Sequence, residues 1–515
     1  MNMSFKPIGM PVMIQRVVLM LIALSVTAAC QPDQPANTST DAANQPRMLL
    51  ISIDGFRHDY FDLGQTPALD RLVDGGVAVD SLHHVFPTKT FPTHYSVVTG
   101  KHPGNHGLVA NSMWDPDRDA RFSLGNREAV GDGFWYQAGE PIWVTAEKQG
   151  MTTATYFWPG SEARIGGVRP TYWKMYDGDV PHEERIDQVL EWVDMPTGER
   201  PELITLYFST VDSAGHRWGP REAPVQEALE EIDGHLNRLL DELAGRGVLD
   251  DFYVLLTSDH GMSRVDFDRY IMLDDYLDLS RVRVSDWGPA AQIWATDMPV
   301  DDIVDALEDA HPNLRVWAKE DIPERYQFRN HRRVPDVLAE ADLGWMISNK
   351  PYMAGRSQFQ LYGMHGWDPA LSEMHGGFAM MGPGFAPGSK SPALRSVDLY
   401  ELMAHVLDIT PAQNDGTLAP FEPYLNANDA VSYTTRTFDC DDERVEARIA
   451  PAHMALHWRD EVHVLDRVAG ASDDDDEDDD KPHQFKATGL AFAFGEDGAS
   501  VEIDDRFDAD CEVAQ

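Results

Sequence analysis

The chain has 515 residues, 43% of them hydrophobic, which is ample for a buried core and, by length, for up to about three domains. Its 42 basic residues face 86 acidic ones, a net charge of −44. That balance leaves no basic surface to release counterions and excludes a nucleic-acid duplex as partner, whereas divalent ions can still draw small anions into a local site.

In chain order, Lys6 and Arg16 precede an apolar run over residues 17–29, followed at once by Cys30. The run is too short to span a bilayer comfortably and has the form of an export signal over residues 1–29. The sequence TAAC resembles a bacterial lipobox, which predicts a lipid on Cys30, with ordinary signal cleavage nearby as the alternative, a flexible tether over 30–46, and an exported protein, periplasmic or anchored to the outer membrane as a lipoprotein. Membrane attachment is then expected only through Cys30. Cys440 and Cys511 remain as an even pair, able to form a bridge in an oxidising compartment.

Short apolar runs at 48–53 (MLLISI), 203–208 (LITLYF) and 252–257 (FYVLLT) predict buried parallel strands. Between the second and third lies APVQEALEEIDGHLNRLLDELAGRG, apolar at helical spacing and stopped by glycine. The alternation predicts an α/β fold: a doubly wound, mostly parallel sheet with helices on both faces, and ligands beyond the carboxyl ends of its strands. Residues 266–350 break this pattern and are expected to form an insertion or cap. The segment around His365 returns to site-like sequence, and a last strand and helix follow. Residues 426–515 read as an acidic C-terminal appendage, a small β structure around a solvated acidic run at 473–480.

The polar residues just past the apolar runs carry the chemistry. Asp54, Asp212, His216, Asp259, His260 and His365 form the mixed oxygen and nitrogen set that a pair of zinc-like ions requires. One such pair alone is most often a cap or a turn. Four segments, three of them with Gly directly after the ligand, point instead to a shared site. A hydroxyl held there can attack phosphorus at neutral pH. Thr88, Thr90 and Thr93 in FPTKTFPTHYSVVTG are the candidates, with a helix expected to begin near Phe91 and Pro92 and Thr90 as its N-cap. Spacing does not choose among the three.

The segments LISIDGFRHDY, KTFPTHYSVVTGKHPGNHGLVAN, DSAGHRWGP, SDHGM and GMHGWDPALSEMHGGFAMMGPGF resemble, in fixed order, motifs of the nucleotide pyrophosphatase/phosphodiesterase family of the alkaline phosphatase superfamily. The resemblance covers residues 47–425, which it marks as a phosphodiesterase catalytic domain; the tail beyond has no counterpart. It implies zinc-dependent hydrolysis of nucleotide phosphodiester and pyrophosphate bonds through Thr90 and a covalent intermediate, releasing nucleoside 5′-monophosphates. It also implies two Zn2+ ions, one on Asp212, His216 and His365, the other on Asp54, Asp259 and His260, with Thr90 bridging. Asn111 matches an amide that binds a phosphate oxygen. Lys89 shares the nucleophile's KTFP context as a substrate contact, and Phe91 with Tyr172 or Trp173 matches aromatics flanking the base. His94 and His375 are expected to be structural. The partners implied are small nucleotides. A phospholipid, phosphocholine or phosphomonoester substrate is the rival within the superfamily, and a non-catalytic, metal-stabilised surface lipoprotein the remoter one.

Overall fold

A computed structural model describes residues 46–355, 361–441, 443–468, 483–495, 498–504 and 506–514. The export signal, Cys30, all but the last residue of the tether, and the acidic run at 473–480 lie outside the described residues. The central sheet contains, in chain order, β1 (Arg47–Ile53), β2 (Val77–Val79), β3 (Thr153–Tyr156), β4 (Tyr172–Lys174), β5 (Leu203–Phe208), β6 (Phe252–Thr257), β7 (Phe378–Met381) and β8 (Ser389–Ser391). Their spatial order is β8-β2-β7-β6-β1-β5-β3-β4. Only β7 runs antiparallel to the rest. β1 pairs in parallel with β5 from Met48↔Leu203 to Ile53↔Phe208, and with β6 from Arg47↔Phe252 to Ser52↔Thr257.

The buried strands lack polar alternation because both faces of the sheet are covered. Successive side chains of β1 point to opposite sides. Leu49, Ile51 and Ile53 enter one core with helices α2 (His182–Val193) and α4 (Ala223–Gly245), while Met48 and Leu50 enter the other with α1 (Thr90–Thr99) and α5 (Leu399–Val406). Between the former pair comes the short α3 (Thr210–Trp218), straight after β5. The helices on both faces agree with the doubly wound reading.

Two further β structures flank this sheet. Within 266–350, Val282–Asp286, Ala290–Ala295, Val337–Ala341 and Leu314–Ala318 form an antiparallel sheet in that order, with a core that includes Ile293, Leu307 and Ala339. From Thr434 to Val513 eight antiparallel strands close into a barrel around Phe438, Phe485, Phe492 and Phe494. A disulfide joins Cys440 to Cys511 where the first and last strands pair.

Candidate functional site

Each of the three buried strands delivers a carboxylate at its end. Asp54 follows β1, Asp259 lies two residues past β6, and Asp212 sits in the first turn of α3 after β5. His216, one turn along α3, faces Asp212 with Nε2 3.3 Å from Oδ1. His260 follows Asp259. His365 follows the two-residue strand Gly363–Met364, which pairs with Ser263–Arg264 beside the same edge. Gly55 makes the convergence possible: its φ is +68°, and a Cβ there would stand 2.9 Å from the Asp212 Cα.

The three imidazoles are oriented alike. Nδ1 of His216 donates to Gly363 O at 2.9 Å, that of His260 to Gly261 O at 2.8 Å, and that of His365 to Thr88 O at 2.7 Å. A backbone carbonyl on Nδ1 fixes the tautomer and leaves Nε2 with its lone pair toward the site. Candidate ligand atoms of Asp54, Asp259 and His260 lie within 4.8 Å of one another, as do those of Asp212, His260 and His365. His260 therefore borders both groups. Its ring stacks on His365 at 3.4 Å.

Asp54 Oδ1, Asp212 Oδ1, Asp259 Oδ2 and His260 Nε2 are buried without an aligned hydrogen bond; their neighbours are one another and nearby imidazoles, with Asp259 Oδ2 3.0 Å from His260 Nε2 and 3.2 Å from His94 Nδ1. Among the described residues no Lys or Arg pairs with the three aspartates. Burial, reinforced by Asp259 and Asp212, pushes the Asp54 carboxyl well above the usual range. Burial opposes the Asp259 carboxylate as well, but His260 and His94 outweigh it and hold it well below. Leaving such groups unpaired is costly, and hard divalent ions satisfy this donor set. The residues fit a divalent-metal centre.

The three candidate hydroxyls now separate. Thr88 Oγ1 donates to Trp367 O at 3.0 Å and accepts from Gly366 N, and Thr93 Oγ1 donates to Lys89 O at 2.5 Å. Both are committed to backbone. Thr90 lines a pocket of about 450 Å3 together with Asp54, Asp212, His216 and His365. It is the first residue of α1, with Lys89 as the N-cap, so the helix begins one residue earlier than the sequence predicts and Thr90 is not the cap. Pro92 still falls in the first turn, where its missing N–H costs nothing. Asn111 lines the same pocket; its Oδ1 accepts from Phe91 N at 2.9 Å, which turns its amide N–H2 group free for a ligand.

A match to the family model "Type I phosphodiesterase / nucleotide pyrophosphatase" covers residues 48–368. The chain belongs to that family. Human ectonucleotide pyrophosphatase/phosphodiesterase family member 5 is 36% identical over 411 residues, 80% of this chain and 82% of that protein. Human family member 1 is 38% identical over 75% of this chain, which spans only 42% of that longer relative. Bovine bis(5′-adenosyl)-triphosphatase is 36% identical over 78% of this chain and 85% of its own. The structure of an inactive murine member 5 in complex with AMP superimposes with a TM-score of 0.70 at 35% identity, covering 74% of this chain and all of that one. The type I phosphodiesterase/nucleotide pyrophosphatase family acts on phosphodiester and pyrophosphate bonds, so the chain is a hydrolase of that class.

Within this family frame, three predicted contacts need correction. Tyr172 and Trp173 do not line the pocket. They lie inside the edge strand β4, where the Tyr172 hydroxyl donates to Glu199 O and its ring stacks on Trp192, while Trp173 carries the Arg169 guanidinium. Tyr176, past the carboxyl end of β4, lines the pocket instead, together with Phe157, Trp158 and Tyr207. Lys89 is also turned away: it is buried in an ion pair with Asp286 of the inserted sheet and donates to Trp287 O. It ties the insertion to the start of α1.

Phe91 lines the pocket, edge-on to Phe122 at 5.4 Å. His94 hydrogen-bonds Thr90 O and Ser52 Oγ, with Nδ1 also 3.2 Å from Asp259 Oδ2, and His375 hydrogen-bonds Ser81 Oγ and Pro369 O; neither lines the pocket. Several pocket residues escape the sequence reading. Tyr207 donates to Asp54 Oδ2 at 2.5 Å; its signal is a phenol one position before the end of an otherwise apolar strand. Arg127 stacks over Tyr176 at 5.0 Å and pairs with the buried Glu162, which also accepts from Tyr176 N at 2.9 Å. No local pattern announces that trio, because its members come from three separate segments.

Proposed function

We propose that this chain hydrolyses nucleotide phosphodiester and pyrophosphate bonds through Thr90, with two zinc ions, and releases nucleoside 5′-monophosphates. The observation that carries this reading is the co-location, in one pocket, of an uncommitted threonine hydroxyl, buried unpaired ligand atoms, and the rings of Phe91 and Tyr176. Asp212, His216 and His365 would hold one ion, and Asp54, Asp259 and His260 the other. Bound there, such ions supply the Lewis-acid charge that favours an alkoxide and offsets the phosphoryl oxygens.

Thr90 Oγ1 attacks phosphorus in line, the bond to the leaving group breaks, and a nucleotidyl-threonine diester forms. Water then attacks the same phosphorus, the Thr90 ester bond breaks, and the nucleoside 5′-monophosphate leaves with the hydroxyl restored. Through both steps the N-terminus of α1 favours the anion and the Asn111 amide donates to a non-bridging oxygen. Phe91 and Tyr176 offer faces to a base, with Arg127 and Glu162 setting the rim. Support for a nucleotide comes from the relatives: murine member 5 has been captured with AMP, and the bovine relative is named a bis(5′-adenosyl)-triphosphatase.

The test compares metal-loaded wild type and Thr90→Ala on a nitrophenyl nucleoside 5′-monophosphate, nitrophenyl phosphate and nitrophenyl phosphocholine. Preference for the first, lost in Thr90→Ala, is expected. Preference for the third moves the substrate to the phosphocholine class, and near-normal Thr90→Ala activity removes Thr90 as nucleophile. We also propose that the protein works outside the cytosol, a reading supported by the Cys440–Cys511 disulfide.

A further inference from the structure

The C-terminal barrel docks on a loop that links a candidate metal ligand to the candidate nucleophile. His365, Gly366 and Trp367 clasp Thr88: the His365 ring donates to Thr88 O, Gly366 N donates to Thr88 Oγ1, and Thr88 Oγ1 donates to Trp367 O. Thr90 is two residues further on. The next residue of the loop, Asp368, is buried and gripped by Arg325, with Nη1 2.6 Å from Oδ1 and Nη2 on Oδ2. Its own Oδ1 accepts from Ala370 N, and the Tyr326 hydroxyl lies 3.0 Å from its Oδ2.

The barrel reaches this loop in two ways. Its strand Glu461–Arg467 adds to the loop's backbone: Val462 N donates to Ala370 O, Ser372 N donates to Asp460 O, and Leu371 bridges Glu461. Separately, Asp504 places Oδ2 2.7 Å from Arg325 Nε, an ionic contact without hydrogen-bond alignment. The approach is built in. Asp504 has φ +49° and donates its N–H to Gly489 O, where a Cβ on Gly489 would stand 2.2 Å from Asp504 Oδ1. Arg325 is thus held by the core carboxylate on one side and the barrel carboxylate on the other.

We propose that the barrel is a positioning element of the hydrolytic site, with Asp504 acting through Arg325 and Asp368 to set His365 and, through Thr88, Thr90. The proposal rests on the reading of His365 as a metal ligand and Thr90 as the nucleophile. A barrel that merely covers the core would need no contact that continues to a ligand-bearing loop. The molecule supplies its own control. Arg395 and Asp466 form a second core-to-barrel ion pair at 2.9 Å, backed by Asp398, which does not include the His365 loop.

The experiment uses the full chain as wild type, Asp504→Asn, Asp504→Glu, Arg325→Lys and Asp466→Asn. It measures zinc retained against a competing chelator, the thermal midpoint, and kcat and KM on a nitrophenyl nucleoside 5′-monophosphate. Asp504→Asn and Arg325→Lys should each weaken one of the two zinc equivalents by about tenfold, the lower end for groups behind metal ligands, and lower kcat with KM unchanged. Asp504→Glu should recover most of both. Asp466→Asn should shift only the thermal midpoint. Zinc retention and kcat in Asp504→Asn and Arg325→Lys equal to those of Asp466→Asn would overturn the proposal. Wild type that binds two zinc ions but turns over no nucleotide ester overturns the nucleotide reading alone, since zinc retention still decides the positioning role. Wild type that binds no zinc overturns both.

Discussion

Two buried charged clusters lie on either side of the His365 loop, and they solve burial in opposite ways. Around Asp368 the acids come with bases: Arg325 grips Asp368, Arg315 approaches Glu340, and Tyr326 hydrogen-bonds between the two carboxylates. Around Asp54 the acids come with imidazoles whose Nδ1 atoms are already spent, and among the described residues no Lys or Arg reaches the three aspartates. Folding alone explains the first cluster, because a buried charge persists when it is paired. It does not explain the second. Like charges crowded in low dielectric raise the free energy of the metal-free fold, so that cluster is built for a cation that the chain does not itself contain.

The sharpest way to break this contrast is to remove metal. Chelation of the wild type should abolish phosphodiester hydrolysis and lower the thermal midpoint, and zinc should restore both; residual turnover at the wild-type rate after verified metal loss would show that the second cluster needs no ion. Thr90→Ala comes next. It should lower kcat by roughly 10³-fold or more while zinc stoichiometry, measured by metal analysis, stays at the wild-type value. Loss of zinc along with activity would instead make Thr90 part of the metal's support.

Stability should then move in opposite directions at the two clusters. Arg325→Met leaves Asp368 buried without its main partner and should cost about 3–5 kcal/mol, read as a lower thermal midpoint. Asp54→Asn in chelated protein removes a repelled carboxylate and should raise the thermal midpoint over that of chelated wild type, even as it eliminates activity. If both substitutions destabilise equally, the second cluster is an ordinary packed site. A smaller effect separates the aromatics. Tyr176→Ala should raise KM for a nucleotide ester about tenfold, the scale of one stacked base, whereas Tyr172→Ala should leave KM unchanged.

The sheet and the candidate ligand set are legible in sequence for the same reason: strands covered on both faces read as unbroken apolar runs, and open α/β sheets place function just past their ends. Asp54, Asp259 and His260 could be placed by counting from MLLISI and FYVLLT. That rule also shows why Tyr172 and Trp173 misled. They are inside a strand, and Tyr176 is past it. Lys89 was not resolvable locally, because its partner Asp286 is 197 residues away. The barrel was faint for a different physical cause. Its first strand, Thr434–Cys440, shows two buried positions among exposed polar ones, with no apolar run to detect.

The finest probe of the comparison is pH. Arg325 holds the Asp368 carboxyl far below its ordinary value of 3.8 despite the burial that opposes it. A depressed folded-state value means that the unfolded chain binds the proton more readily, so stability rises with pH across that window. The contribution is therefore fully present above about pH 4 and is lost as pH falls toward the folded value. Burial pushes Asp504 the other way, upward, even with Arg325 beside it, so Asp368 is the carboxylate that matches most of the guanidinium charge. Asp368→Asn should accordingly lower the thermal midpoint at pH 7, and the gap to wild type should narrow as the two are compared below pH 4. A gap that stays constant down to the acid transition would mean that Asp368 acts through packing and hydrogen bonding rather than through its charge.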